Sequence, residues 1–223
     1  MERASKAAGD TVHHPLFARF WARMSVAADH RAGVAAHREE LLAGLRGEVV
    51  EIGAGNGLNF ARYPAGVARV LAVEPERTLR DAALTAAARA QVPVRVVPGT
   101  AEALPAGDGE FDAAVASLVL CTVRDLPRSL AELHRVLRPG GELRFFEHGL
   151  APTPGAARVQ RVVDATVWPR LFGGCHTARD TLAAIGAAGF ELGAYRRLQV
   201  PAGGVPLPSS PCVIGVARRR ADG

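Results

Sequence analysis

Apolar positions along the chain follow two rhythms. In residues 15–24, PLFARFWARM, Leu16, Phe17, Phe20, Trp21 and Met24 recur at helical spacing, with Arg19 and Arg23 on the opposite side. A second helical stretch runs over 30–45. From residue 48 the period changes. Short apolar runs at 48–52, 69–73, 92–97, 111–118 and 142–146 read as strands. Between them lie helix-compatible segments at 58–63, closed by Pro64, at 76–90, and at 125–137, stopped by Pro139-Gly140-Gly141. This alternation predicts right-handed βαβ units around a parallel sheet. Beyond Gly149, residues 154–172 and 177–188 read as helices, and 190–200 and 212–218 as closing strands. The PAGGVPLPSSP segment between those two strands holds too many prolines for a ladder. The sum is seven strands in one domain: a helical cap or lid at 1–45, a core at 46–150, and the rest of the sheet with a substrate side at 151–223.

Composition narrows the class. The chain has 223 residues, 48% hydrophobic and 22% charged, which suits a globular domain and excludes overall disorder. Its formal net charge is +5, but Lys6 is the only lysine, and Arg218, Arg219 and Arg220 crowd one terminus. An arginine excess scattered this way reads as compositional bias, so nucleic acid is not expected as a partner. Three cysteines, Cys121, Cys175 and Cys212, with no C-x-x-C pair, speak against a disulfide framework and against a structural zinc site, and fit a reducing cytosol. The N-terminal residues lack an apolar signal core. No apolar run approaches the roughly 20 residues of a membrane span. The expectation is a cytoplasmic protein without stable membrane insertion; the sequence does not address oligomeric state.

The chemistry starts at Val49-Val50-Glu51-Ile52-Gly53-Ala54-Gly55-Asn56-Gly57-Leu58-Asn59-Phe60. A strand feeds a glycine loop that opens a helix-compatible segment, a geometry that lets backbone pass close to a ligand. A dinucleotide fingerprint G-x-G-x-x-G would place its third glycine at 58, where Leu58 stands. The pattern is instead E-x-G-x-G-x-G, and it resembles motif I of the class I S-adenosylmethionine-dependent methyltransferases. Further segments resemble the same family in the same order. Val70–Val73 ends on Glu74-Pro75, where a carboxylate would hold a ribose diol. Gly99-Thr100-Ala101-Glu102-Ala103-Leu104-Pro105 is similar to the adenine-lining G-D-A-E-x-L-P loop, with Thr100 in place of the usual Asp, so Thr100, a backbone amide or Glu102 would read the adenine edge. Phe111-Asp112 and Leu137-Arg138-Pro139-Gly140-Gly141 complete the match. The resemblance implies a Rossmann-like α/β fold: a seven-stranded, mostly parallel sheet with helices on both faces and an N-terminal helical cap. It implies S-adenosyl-L-methionine as cofactor, S-adenosyl-L-homocysteine as product, and cofactor contacts from Glu51, Gly53, Ala54, Gly55, Gly57, Asn59, Glu74, Pro75, Thr100, Ala101, Glu102 and Leu118.

A narrower resemblance joins SLVLCTV (117–123), RVLRPGG with FFEH (135–148), FGGCHTARD (172–180) and PCVIGVA (211–217) to the methyltransferase-like thiol S-methyltransferases and their bacterial relatives. In the last segment Cys212 replaces that branch's usual His. Its animal members carry an N-terminal hydrophobic anchor without counterpart in this sequence, so the resemblance implies thiol methylation away from the membrane. The N/D-P-P-Y of exocyclic-amine DNA enzymes is absent after the fourth strand, where Leu118-Val119-Leu120-Cys121 stands. So is the acidic pair of magnesium-dependent O-methyltransferases, and no metal is expected.

Candidate catalytic groups are His148, His176 and Cys121. Each has a plain structural reading beside the chemical one: a loop hydrogen bond for His148, packing for Cys121 and for the Cys175-His176 pair, and a surface position for His13 and His14. The stripe at Phe17, Phe20, Trp21 and Met24 reads as a lid over the pocket rather than a membrane contact. The expected function is methyl transfer to a small-molecule acceptor, a thiol first; the alternatives are an O-, N- or C-methyltransferase, an NAD-binding oxidoreductase, and a non-catalytic cofactor-binding protein.

Overall fold

Apolar runs too short for helices pair edge to edge, and the helices between them cover the faces that result. The computed structural model describes residues 15–31, 33–203 and 206–221. The described elements are α1 (Pro15–Arg31), α2 (Val34–Leu42), β1 (Gly47–Ile52), β2 (Val67–Val73), α3 (Arg77–Ala87), β3 (Val94–Val97), β4 (Phe111–Ser117), α4 (Leu126–Val136), β5 (Leu137–His148), α5 (Pro154–Thr166), α6 (Trp168–Leu171), α7 (Thr181–Ala187), β6 (Phe190–Gln199) and β7 (Pro211–Arg219). They build one seven-stranded sheet in the order β3-β2-β1-β4-β5-β7-β6, parallel except for antiparallel β7 and its pairings. The mostly parallel α/β sheet predicted from the apolar pattern is the one observed.

The central strands are buried on both faces, as parallel strands must be. One layer packs Leu130, Leu133 and Val136 of α4 with Ile185 of α7 against Val50, Phe111, Leu143 and Phe145. The other packs Leu41 and Leu42 of α2 with Ala83 of α3 against Val49, Val70, Val115 and Phe146. The chain runs outward from β1 to β3 and returns at β4, so the crevice at the carboxyl ends of β1 and β4 is the switch point where open α/β sheets bind ligands.

Three local expectations are corrected. Residues 58–63 form a single 3-10 turn, Phe60–Arg62, instead of a helix: six residues between Gly57 and Pro64 cannot repay helix nucleation. The helix expected over 30–45 is interrupted, because His30 belongs to α1 and Gly33 takes the left-handed conformation (φ 73°) before α2 starts. The helix expected over 177–188 starts at Thr181 under an Asp180 cap, since Asp164 accepts the amides of Thr177 and Ala178. The lid reading of the α1 stripe rests partly on Phe17, whose side chain lies outside the described residues. Phe20 is 51% exposed and Met24 44%, while α1 buries Ala18 and Asp29 and packs on α2 and α3. His13 and His14 lie outside the described residues. Among those described, no helix is long and apolar enough to cross a membrane.

Candidate functional site

The glycine loop leaves β1 and bends back over the sheet's carboxyl edge. Gly53 sits at φ 59°, and a Cβ there would meet Val119 Cγ2 at 2.2 Å, so the loops after β1 and β4 approach as closely as glycine permits. Gly55, at φ 57°, has nothing beyond backbone near the place of a Cβ; the space above it is open. Beside it ends β2. The Glu74 carboxylate, buried, accepts the Gly55 amide at 2.8 Å and the Glu76 amide at 2.9 Å. Burial raises its pKa against those two hydrogen bonds. Each oxygen keeps a lone pair for another donor. Open space over glycine beside a buried acceptor carboxylate fits the ribose of an adenosyl cofactor and disfavours an anionic phosphate at that spot. Ala54 donates to the Val73 carbonyl at 3.3 Å and fixes the loop to β2, and Pro75, after Glu74, turns the chain toward α3.

On the neighbouring edge Thr100 and Ala103 form an isolated bridge that holds Ala101 inward. Glu102 is otherwise engaged. Its carboxylate accepts the amides of Arg124 and Asp125 at 2.9 and 3.3 Å, and its carbonyl accepts Arg128 Nε.

Glu51 and Asn59, expected as cofactor contacts, lie beneath the loop and brace it. Asn59 Nδ2 donates to Glu51 Oε1 at 2.8 Å and the Tyr63 hydroxyl to Oε2 at 2.7 Å. Burial pushes Glu51 up to about 7 despite both bonds. Arg38 extends the network: Nη1 donates to Asn59 Oδ1 and to Ser117 Oγ, both at 3.0 Å, and Nε donates to Asp29 at 2.9 Å. Arg62 pairs with the other Asp29 oxygen at 2.7 Å. Residues of α1, α2, the 3-10 turn and β4 thus share one buried polar cluster. A cavity of about 700 Å³ lies between α1 and Asn56, Leu58 and Ala82; Glu74 and the 100–102 segment do not line it.

The second wall of the crevice follows β4. Leu118 holds φ 57°, a conformation that costs a side-chain-bearing residue about 1–2 kcal/mol and clusters at functional sites. Glu147, fully buried at the end of β5, accepts the Val119 and Leu120 amides at 2.9 and 3.0 Å and fixes that turn; burial pushes it up to about 7. The loop after α6 docks on the same turn. The His176 amide donates to the Cys121 carbonyl at 2.8 Å, and Arg179 donates to the carbonyls of Leu120 and Val123 at 2.5 and 2.8 Å. Cys121, Cys175 and His148 converge here, whereas the His176 ring turns toward Asp164, 3.9 Å away. Burial pushes His148 down to about 4, so its ring is neutral at neutral pH.

Comparison with known proteins agrees with this geometry. A family model described as a methyltransferase domain matches residues 50–145. Human thiol S-methyltransferase TMT1A is 33% identical over 156 residues, 69% of this chain and 64% of that protein. Mouse TMT1B is 36% identical over 155 residues, 67% and 63% of the two chains. This is a class I S-adenosylmethionine-dependent methyltransferase domain. A solved S-adenosylmethionine-dependent methyltransferase from Thermotoga maritima shares its fold with a TM-score of 0.64 at 23% identity, covering 92% of this chain and 98% of the other. The chain spans about three fifths of the length of the curated relatives it matches.

Within this methyltransferase domain, the expected contacts Gly53, Gly55, Glu74, Thr100, Ala101 and Leu118 all follow the carboxyl ends of β1 to β4. Gly57 lies farther along the glycine loop, where a Cβ would press into Ala86 and Phe60. Arg38, Asp29 and Tyr63 were not singled out from sequence, and Glu147 and Arg179 entered it only as members of the FFEH and FGGCHTARD segments. A charged residue inside an apolar run marks Glu147; nothing local marks the others, whose partners are remote.

Proposed function

We propose that the chain transfers the methyl group of S-adenosylmethionine to a small-molecule thiol. The observation that carries the acceptor is the similarity to thiol S-methyltransferases over about two thirds of this chain. The free state of all three cysteines fits a reducing, cytosolic setting for such chemistry.

When bound, the cofactor supplies an electrophilic methyl group on a cationic sulfonium. Glu74 would accept the ribose hydroxyls, Gly55 would leave room for the sugar, and Thr100 with the Ala101 backbone would border the adenine. The chain's further work is alignment of the acceptor behind the methyl carbon and exclusion of water. The turn at 118–123 is suited to that work, being held from below by Glu147 and from the side by Arg179. A thiol of pKa about 8.5 needs little help to ionise at neutral pH. The neutral His148 ring offers a lone pair at that edge, so no strong dedicated base is required.

The test offers purified protein labelled S-adenosylmethionine with acceptors of one carbon skeleton bearing a thiol, a hydroxyl, an amine or an activated carbon. Label in the thioether, at a kcat/KM at least about tenfold above the other acceptors, is the expected result. Transfer only to oxygen, nitrogen or carbon would replace the thiol reading with the wider small-molecule one. Binding of S-adenosylhomocysteine without transfer to any acceptor would leave a non-catalytic cofactor-binding protein.

A further inference from the structure

The three cysteines of the chain, at positions 121, 175 and 212, come together at one corner of the fold. Cys121 Sγ, Cys175 Sγ and a ring nitrogen of His148 all lie within 4.8 Å of one another. We propose that these three side chains form a binding site for one thiophilic divalent cation of the zinc type, with a fourth coordination position left for a ligand thiol.

Three observations support the site. First, the ligands come from three separately anchored elements: the turn after β4, the last residue of β5, and the loop after α6. The Cys121 carbonyl accepts the His176 amide, Glu147 fixes the turn that carries Cys121, and the Thr181 hydroxyl donates to the His148 carbonyl at 3.2 Å. Second, the ligand atoms are already close to the required spacing. Two sulfurs bound at about 2.3 Å to a tetrahedral ion lie about 3.8 Å apart, so closing the site takes shifts of roughly an ångström or less. Third, charge is unbalanced there. Glu147, the residue before His148, keeps Oε2 fully buried and without a hydrogen-bond partner. A divalent ion offsets that carboxylate and stabilises two thiolates at once.

The donor set selects the metal and the coordination. Two thiolates and an imidazole favour zinc over magnesium or calcium, and two Cys with one His is a set that leaves an open position in catalytic zinc sites. Cys212 stands outside the group. Its Sγ lies 3.5 Å from His148 Nδ1, while the outer support that metal-bound histidines have comes to the ring from the Ser209 backbone, which hydrogen-bonds it. His148 is only half-buried, so the corner is reachable. No C-x-x-C pair announces the site in sequence; the topology assembles it.

The role of the open position rests on the thiol-acceptor reading above. There an acceptor thiol binds through sulfur and gives its proton to solvent as the metal–sulfur bond forms. The bound thiolate then forms a C–S bond to the methyl carbon as the carbon–sulfonium bond breaks. The thioether leaves the metal, and S-adenosylhomocysteine is the second product.

The test begins with metal-stripped protein titrated with Co2+ alone, with neither methyl donor nor acceptor present. The expected result is one equivalent bound, with thiolate-to-cobalt charge-transfer absorption and the visible bands of a four-coordinate site. C121S, C175S and H148A each weaken binding by about tenfold or more, and C212S binds as the wild type does. An added alkyl thiol increases the charge-transfer absorption. The wild-type spectrum alone reports thiolate ligation, so the result does not depend on any variant folding. Absence of saturable binding, loss of binding in C212S (a closed four-ligand site), or a Cys121–Cys175 disulfide in protein purified without reductant would overturn the proposal. An unchanged spectrum on thiol addition would overturn the open position. Because the titration needs no methyl transfer, cobalt binding without thiol methylation would refute only the function above, and methylation unaffected by stripping would refute only the metal's role.

Discussion

Glu51 and Glu74 end neighbouring strands, and the same residue type does different work at each. Glu74 accepts two backbone amides beside the open space over Gly55, whereas Glu51 accepts two buried side chains, Asn59 and Tyr63, beneath the loop. The E-x-G-x-G-x-G pattern made both read as cofactor contacts, because spacing says which residues are near a loop but not on which side of it. The difference is measurable. Burial raises Glu51 from 4.5 to about 7, so the folded chain holds that proton more tightly than the unfolded chain. The stability it contributes is complete below pH 4.5 and is lost as pH rises through 7, by about 3 kcal/mol at most. The variant E51Q keeps the hydrogen-bond frame and removes the titration. Urea unfolding at pH 5 and pH 8 should show E51Q gaining on the wild type as pH rises, and parallel profiles would contradict the buried-carboxylate account.

Strands and helices were legible where apolar period and punctuation agreed: β1, β2, β4 and β7 lie within two residues of their predicted bounds. The misses share a cause, contacts distant in sequence. The segment 58–63 has helical apolar spacing, yet Asn59 and Tyr63 are recruited by Glu51, and Pro64 leaves no room for a second turn. Phe20 and Met24 of α1 face outward because the helix docks through small residues such as Ala18 and through Asp29, which binds Arg38 and Arg62. Asp29→Ala would strand two guanidinium groups in or near the core, and denaturation should register a loss of about 3 kcal/mol. A loss under about 1 kcal/mol would mean that the cluster does not hold α1 to the loop. On the other wall, Arg179 pins the segment after α6 to the turn after β4. Arg179→Met should leave S-adenosylhomocysteine affinity within about twofold of wild type and lower kcat by about tenfold, since the contacts it breaks lie on the acceptor side. Weaker cofactor binding with unchanged kcat would contradict that division.

At the scale of the whole molecule, the strand order places the loops after β1, β2 and β4 at one end of the sheet and brings Cys121, His148 and Cys175 together beside the turn after β4. The alternation of strands and helices disclosed the first arrangement. The second was invisible, because 54 residues separate Cys121 from Cys175 and only the packing of the loop after α6 joins them. The same packing disarms the net charge of +5 as a guide to partners. Arginines pin loops and helices through Arg38, Arg62, Arg135 and Arg179, and the crevice itself is walled by buried carboxylates, Glu74 and Glu147. A cationic cofactor suits that crevice, and a dinucleotide does not. Titration calorimetry with S-adenosylhomocysteine, on wild type and on Glu74→Ala, tests this most directly, with NADH as the competing ligand. One-to-one binding by the wild type, weakened about tenfold or more in the variant through loss of charge-assisted hydrogen bonds, with no heat from NADH, is the expected result. Binding of NADH in place of S-adenosylhomocysteine, or an affinity unchanged by Glu74→Ala, would contradict it.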